Sequence, residues 1–411
     1  MKRCFLVLIA LWQAGASVHA QPSQEHRTDI NPALLYWQAI VLRPVQSDED
    51  RDYLLTNEWR GRPLDDRFRT LVIAPNTAFR LVEQAARQTA PCDWGYDITY
   101  GPAMLLPGLA KGKSFAQLER LRFRWNLESG RNEDAVREWL ATFALSHQLS
   151  RDGTLISCLV QFAMDNILLC TVAENWFRLD GAALLAIQNG LTSVPRAGTT
   201  LDSNTIERTA FRDWFIRQVE AIHRSTPDLV LRRKLILTQF EETSPGEADL
   251  GKKVLAAGGN TGEGVIRLLM DLDPLYNEAA ELIRLPYAGF RQHAPVFDSH
   301  LKSSTNPLAG AFLNGIQKSR LKEFTAITRA ALFQAAIAQR LQGEKGFQAV
   351  LDPLTGKPFV LKRVQVAGID RGFQIGSTVT DAGDLPLSLI FIEKDGPAFH
   401  LDGRQAGELL K

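Results

Sequence analysis

The first twenty residues set the conditions under which the rest of the chain folds. A basic dipeptide precedes an unbroken apolar run of nine residues at 4–12, and Val18 and Ala20 are small residues of the kind that a signal peptidase reads. This layout is typical of a secretory signal peptide, which predicts cleavage near Ala20 and export to the periplasm or the extracellular space. The alternative is an uncleaved N-terminal anchor, although the run is too short to span a bilayer.

Removal of residues 1–20 leaves a long and nearly neutral chain. The 411 residues carry a formal net charge of +1, which becomes −1 when the two N-terminal cations are lost. Nucleic-acid binding requires clustered Lys and Arg, so nucleic acid is not expected as a partner. Every later apolar window contains a charged residue, which predicts no transmembrane segment in the mature chain.

Three cysteines remain after cleavage, and an odd number leaves at least one thiol unpaired in a monomer. Cys158 and Cys170 are expected on one helix, about 18 Å apart, which is too far for a disulfide. We therefore expect three buried thiols that act as small hydrophobic side chains. A bridge from Cys92 to Cys158 or to Cys170 is the alternative.

Helical patterns dominate residues 21–345, which we interpret as one α-helical domain. Asn31 and Pro32 mark the start of a first helix that is apolar nearly all round and ends before Pro44. Residues 228–240 fit either a helix or a strand. The other helices are predicted at about 47–59, 65–73, 77–88, 114–127, 132–149, 154–177, 181–189, 203–223, 263–271, 274–284 and 308–342.

Two stretches interrupt the second half of this domain. Residues 243–264 are rich in glycine and polar residues and predict a flexible loop. Pro286, Pro295 and Pro307 predict an irregular stretch, because proline lacks the backbone N–H that a helix interior needs.

One pair of helices resembles a repeat unit. Gly130 separates the helices at 114–127 and 132–149, and Ala135 and Trp139 occupy positions typical of the second helix of a tetratricopeptide repeat. No regular repeat of that length follows elsewhere. The sequence therefore predicts packed helical pairs in an irregular multi-helix array.

The pattern changes near residue 346. Short β-like runs at 359–366, 372–375 and 387–392 are separated by turns that contain Gly and Asp. A sheet of this size is marginal alone, so residues 346–411 are predicted to form a small antiparallel meander packed on the last helix. The predicted fold class is therefore mainly α with a C-terminal β meander.

This tail also resembles a known pattern. The closing helix, the turn Asp352-Pro-Leu-Thr-Gly-Lys-Pro358 and the following strands are similar to the tails of uncharacterised, predicted secreted bacterial helical proteins. Those tails are similar in turn to the C-terminal region of type II secretion pseudopilins. The resemblance implies a secreted helical protein with a β tail, and it implies no activity. Some pseudopilin-like tails bind calcium, but Asp381 and Asp384 alone are a poor ligand set, so calcium is not expected.

Residues 91–107 form the best candidate site, because turn-forming residues interrupt the helical pattern there. Aromatic faces beside acids suit sugars or cationic groups, and paired carboxylates can hydrolyse glycosidic bonds. The alternative is that the aspartates organise turns through their own backbone and that the tryptophan fills the helical core. The candidate ligand-binding residues are Asp93, Trp94, Tyr96, Asp97 and Tyr100.

Other chemical signatures are missing or weak. The sequence contains no Gly-x-Ser-x-Gly, His-Glu-x-x-His, Cys-x-x-Cys or phosphate-loop motif. The glycine-rich stretch at 258–264 follows no clear strand, so we interpret it as a helix–helix loop. His293, Asp298 and His300 are ligand types for zinc, but their spacing matches no common site. No metal and no cofactor are therefore predicted.

These patterns favour an exported helical scaffold or binding protein over an enzyme. Its partner is an unknown protein or small molecule. A secreted hydrolase that acts on glycans through Asp93 and Asp97 is the alternative. A third hypothesis, a component associated with secretion machinery, depends on the tail alone and requires that the N-terminal segment is retained as an anchor.

Overall fold

The computed structural model describes residues 27–56, 59, 63–243, 249–366, 368–380 and 386–394. The proposed signal peptide lies outside these residues, and so do Asp381 and Asp384 of the tail. Within the described ranges the fold is mainly α-helical with a small C-terminal antiparallel sheet, which confirms the predicted fold class.

The α-helices are numbered here in chain order. Their bounds are α1 Pro32–Leu42, α2 Asp48–Thr56, α3 Asp66–Ile73, α4 Asn76–Ala86, α5 Pro107–Glu128, α6 Asn132–Leu149, α7 Leu155–Glu174, α8 Gly181–Leu191, α9 Thr200–Glu207, α10 Trp214–Ser225, α11 Leu229–Thr243, α12 Leu250–Ala257, α13 Gly262–Met270, α14 Asp273–Arg284, α15 Tyr287–Ser303 and α16 Pro307–Ala349.

Helix ends follow the capping chemistry of the sequence. The Asn31 side chain accepts a hydrogen bond from the Ala33 N–H at 3.0 Å, and Pro32 occupies the first position of α1. The Asp180 carboxylate likewise accepts from the Ala183 N–H at 2.8 Å and starts α8. The long helix α16 is interrupted at Gly343, whose φ of 67° is accessible to glycine at little cost.

Two expectations for the second half of the chain differ from the structure. Helix α12 occupies Leu250–Ala257, inside the range predicted as a flexible loop, because Leu250 and Val254 are buried in a hydrophobic core. Pro295 lies within α15 and not in an irregular stretch. Burial of Phe290 and Phe297 holds this helix on both sides of the proline, despite the hydrogen bond that the proline removes.

The helices surround two hydrophobic cores. The first core joins α1–α8 with the second half of α16 and the sheet, and the second core joins α10–α15 with the first half of α16. Leu313 and Phe324 of α16 belong to the second core, whereas Leu332 and Phe333 belong to the first. One helix therefore forms part of both cores.

The C-terminal sheet consists of β1 Val360–Val366, β2 Ile369–Thr380 and β3 Pro386–Ile392, in that order and antiparallel. Phe373 pairs with Phe391 across the sheet, and their rings stack at 5.1 Å. The Phe391 ring also packs against the rings of Trp176 and of Phe333 in α16, with distances of 4.8 and 6.4 Å between ring centroids. These aromatic contacts attach the sheet to the helices.

Helix α7 is more apolar than the sequence reasoning allowed. Of the helices in the described ranges, it alone is long and apolar enough to cross a membrane by length and composition, with a mean hydropathy of 1.8. The expectation of no transmembrane segment in the mature chain stays a prediction, since length and composition alone do not place a helix in a membrane. A core helix passes the same test, and α7 packs against α5, α6, α16 and β3.

Candidate functional site

The loop between α4 and α5 is held against the first helix. The Asn31 side chain donates to the Asp93 carbonyl at 2.7 Å and accepts from the Asp93 N–H at 3.1 Å. Earlier in the loop, the Thr89 N–H donates to the Thr28 carbonyl at 2.7 Å. The residue that caps α1 therefore also fixes the position of the candidate site.

Trp94 anchors this loop in the first core. Its indole Nε1 donates to the Gln148 carbonyl at 2.9 Å. Its ring stacks on those of Tyr36 and Tyr96, with distances of 5.7 and 6.3 Å between ring centroids. Trp94 is buried, and Trp37 contacts it edge-on at 5.4 Å. The ring thus fills the core, which was the alternative to a ligand-binding role. The residue also lines the pocket described below.

The two loop carboxylates are occupied in turns. Asp93 Oδ1 accepts from the Gly95 N–H at 2.9 Å, and Gly95 adopts a φ of 70° that favours glycine. Asp97 Oδ1 accepts from the Thr99 N–H at 2.8 Å and from the Thr99 hydroxyl at 2.6 Å. Hydrogen bonds from Thr99 lower the pKa of the exposed Asp97 carboxyl. Both aspartates therefore organise their own backbone.

A pocket of about 160 Å³ lies between this loop and the α6–α7 connection. We call it the loop–helix pocket. Of the five residues predicted from the sequence, the pocket brings together Asp93, Trp94 and Tyr96. Asp97 and the 64% exposed Tyr100 do not line it. The full lining is Cys92, Asp93, Trp94, Tyr96, Ile98, Met104, Arg151, Asp152, Thr154 and Ile206.

Asp152 is the most informative residue of this pocket. Its Oδ1 accepts from the Thr154 N–H at 2.9 Å and also from the Ser157 hydroxyl at the start of α7. Its Oδ2 is buried and has no hydrogen-bond partner among the described residues. Burial raises the pKa of the Asp152 carboxyl, because the charged form loses solvation, although the Ser157 and Thr154 hydrogen bonds oppose this shift.

Arg151 supplies the opposite charge. Its side chain is exposed at the pocket and forms no ion pair within the part of the chain that the structure describes. Sequence reasoning missed both residues, since they lie more than forty positions after the loop. The only local signal was the Asp-Gly-Thr sequence at 152–154, which reads as a turn followed by a helix cap.

Cys92, Cys158 and Cys170 are free thiols in the structure, which excludes the disulfide alternatives among them. Cys158 and Cys170 are buried as expected, whereas Cys92 is half-buried. Cys92 lines the loop–helix pocket, and burial raises the pKa of its thiol to about 12. Burial raises the pKa of the Cys158 thiol to about 12 as well. Thiolates are the reactive form, so neither sulfur is activated as a nucleophile.

A second polar cluster, on α6 and α7, contains serine, histidine and aspartate but lacks the order of a catalytic triad. The Asp165 carboxylate lies between the Ser146 hydroxyl, which donates to it, and His147 Nε2 at 3.3 Å. The other ring nitrogen of His147 lies 2.7 Å from the Pro195 carbonyl. In a triad the imidazole contacts the serine and the carboxylate orients the imidazole. This cluster therefore joins the two helices.

The histidines considered for zinc lie on α15. His300 Nδ1 lies 2.8 Å from a carboxylate oxygen of Glu278 on α14, and Asp298 pairs with Lys302 one turn later. Among the described residues no three His, Cys, Asp or Glu side chains are grouped as metal ligands. The His300–Glu278 contact thus links α14 to α15, whereas the Asp298–Lys302 ion pair lies within α15.

Comparison of the chain with protein-family models, with curated proteins and with solved structures found no match.

Proposed function

We propose that the protein is an exported helical binding protein, and that the loop–helix pocket binds a small zwitterion such as an amino acid. The observation that carries this proposal is the carboxylate of Asp152, a residue that lines the pocket and whose buried Oδ2 has no hydrogen-bond partner among the described residues. A buried oxygen without a partner costs stability, and a ligand ammonium group would satisfy it. Export depends on the N-terminal segment and is proposed on that basis.

The remaining lining fits the rest of such a ligand. The guanidinium of Arg151 carries donors that match a carboxylate, and it has no competing ion pair in the described ranges. Ile98, Met104 and Ile206 supply an apolar wall for the ligand side chain. Opposite charges on adjacent residues would thus orient the two ends of a zwitterion.

The pocket volume limits the size of the ligand. An apolar cavity of roughly 150 Å³ holds one benzene molecule, so a pocket of similar size accommodates about six to nine heavy atoms. An amino acid of the size of leucine falls in this range. A pocket of this volume has no room for an oligosaccharide.

Glycan hydrolysis through Asp93 and Asp97 receives less support. Both carboxylates accept backbone hydrogen bonds within their own turns, and Asp97 does not line the pocket. A general acid needs a raised pKa, whereas Thr99 lowers the pKa of Asp97. Binding is therefore favoured over catalysis at this site.

Isothermal titration calorimetry with three matched compounds tests the proposal. L-leucine carries both charges, leucinamide lacks the carboxylate, and 4-methylpentanoate lacks the ammonium group. We expect L-leucine to bind and both analogues to bind at least tenfold more weakly. Asp152→Asn and Arg151→Gln should each weaken L-leucine binding at least tenfold, because a charge-assisted hydrogen bond contributes about 1.5–3 kcal/mol.

Asp97→Asn is the control, since this carboxylate belongs to the same loop but lies outside the pocket lining. It should bind L-leucine like the parent protein. If none of the common amino acids binds at millimolar concentration, or if Asp152→Asn binds as the parent does, the proposal is wrong.

A further inference from the structure

The first turn of helix α11 exposes apolar side chains that no other element in the described part of the chain covers. Leu229, Val230 and Leu231 are 61%, 76% and 48% exposed, and Leu235 one turn later is 37% exposed. Burial within this helix begins only at Ile236. The helix therefore extends about two turns beyond its packed part, and an apolar tip formed by residues 229–231 stands at its end.

A basic collar follows the apolar tip directly. Arg232, Arg233 and Lys234 are three consecutive cations. Arg232 donates to the Thr226 carbonyl, and the Nε of Arg233 donates to the Asn260 carbonyl at 2.9 Å. The ends of the Arg233 and Lys234 side chains remain exposed beside the tip. Two acids lie near this end in the described residues: Asp228 at the helix start, and Glu263, which pairs with His223 beside Arg232. The three consecutive cations outnumber them, so the local charge is positive.

Asp228 satisfies two backbone N–H groups at the start of α11. Its carboxylate accepts from the N–H groups of Val230 and Leu231, both at 2.8 Å. The free N–H groups of a first helical turn are costly to move away from water unless a partner satisfies them. The tip therefore presents mainly hydrocarbon to its surroundings.

We infer that the tip of α11 inserts into the surface of an anionic lipid bilayer, with Arg233 and Lys234 at the level of the lipid headgroups. This site is separate from the loop–helix pocket. The surface of an anionic bilayer has a layer of negative headgroups over an apolar acyl boundary. The cations match the headgroups, and the apolar side chains of the tip match the acyl boundary. Charge complementarity thus identifies the occupant.

The distribution of the apolar residues favours a bilayer over a protein groove. A helix that binds a groove uses residues at i, i+3, i+4 and i+7, which form one stripe. Leu229, Val230 and Leu231 are consecutive, so they point in directions about 100° apart around the axis. A medium that is apolar on every side accommodates all three.

Vesicle flotation of the purified full chain tests this inference. We expect binding to vesicles of phosphatidylcholine mixed with phosphatidylglycerol, and at least tenfold weaker binding to phosphatidylcholine alone. Raising the salt concentration should weaken the first binding. The variant Leu229→Ser/Val230→Ser/Leu231→Ser should lose at least tenfold in affinity. Arg233→Gln/Lys234→Gln should lose about 25-fold on the anionic vesicles, from two interfacial cations.

The control removes three equally exposed apolar side chains elsewhere. Leu34, Val41 and Leu42 on α1 are 55%, 79% and 54% exposed. Their triple replacement by serine should leave vesicle binding unchanged, and thermal unfolding should show that all variants are folded. The inference is overturned if the parent binds neither vesicle, as a protein-docking surface would, or if the α1 variant loses as much affinity as the tip variant.

Discussion

The two cores of the molecule are stabilised by different kinds of contact. The first core buries ion pairs, including the two-pronged bond between Arg122 and Glu138 with distances of 2.8 and 2.9 Å. The second core consists of leucine, phenylalanine and other apolar side chains, such as the stack of Phe215 on Phe240 at 4.5 Å, and the ion pair of Arg212 with Asp273 lies beside it. Buried charges require particular partners, whereas apolar rings require mainly volume and shape. The first core should therefore be sensitive to charge and pH, and the second to side-chain size.

Arg122→Met tests the charged core most strongly. The change leaves the Glu138 carboxylate buried without its partner, and we expect a loss of about 4 kcal/mol in the free energy of unfolding. The double variant Arg122→Met/Glu138→Met should recover at least half of this loss, because it removes both charges. Denaturant titration monitored by circular dichroism provides both values. A double variant no more stable than the single one would show that packing, and not charge, governs this site.

Phe240→Ala tests the aromatic core. Loss of the ring creates a cavity beside Phe215, and we expect a cost of about 3 kcal/mol. This cost should be the same at pH 5 and pH 8, since the aromatic contacts of the stack are with Trp214 and Phe312, which do not titrate. Denaturant midpoints at the two pH values measure the effect. A marked pH dependence would contradict the contrast between the cores.

Glu119→Gln has the smallest expected effect and the opposite sign. Glu119 is fully buried, and neither of its carboxylate oxygens has a hydrogen-bond partner among the described residues. Burial, followed by the nearby charge of Glu138, raises the pKa of this carboxyl well above its ordinary value. The folded state therefore keeps the acid protonated at pH values where the unfolded chain has released that proton.

The sign of the pH effect follows from this difference. Because the folded state binds one more proton, the parent protein loses stability as pH rises above the ordinary glutamate pKa of about 4.3. Gln carries no titrating proton, so Glu119→Gln should equal the parent in stability near pH 4 and become more stable than the parent as the pH rises toward 8. Thermal unfolding across this pH range measures the gap. A difference in stability between variant and parent that does not change with pH would mean that Glu119 is ionised in the folded protein.

Much of the fold could be predicted, because its signals are local. The cap at Asn31 with Pro32 gave the start of α1, and Asp180 gave the start of α8. The β-like runs near 359–366 and 387–392 correspond to β1 and β3 within one residue. Caps, turns and alternation act over a few residues, so they can be read without tertiary structure.

Other elements depended on contacts that the sequence does not display. Polar and glycine-rich neighbours concealed α12, whose Leu250 and Val254 are buried. Pro295 suggested a break, but helical residues packed on both sides keep α15 continuous. Local propensity gave the wrong result in both places because burial outweighed it.

The candidate site was only half visible from the sequence. The loop residues Asp93, Trp94 and Tyr96 were identified by their composition and do line the pocket. Arg151 and Asp152 reach the same pocket from the α6–α7 connection, and no local pattern places them there. A pocket formed by distant segments can be identified only when the chain has folded.

The 43 residues of α16 have a consequence for how the molecule can be divided. This helix contributes side chains to both cores. A fragment that ends before Pro307 therefore lacks part of each core, and a fragment that begins at Pro307 contains neither core in full. No single cut yields two self-sufficient halves. The chain therefore folds as one unit, and α16 must be synthesised before either core can close.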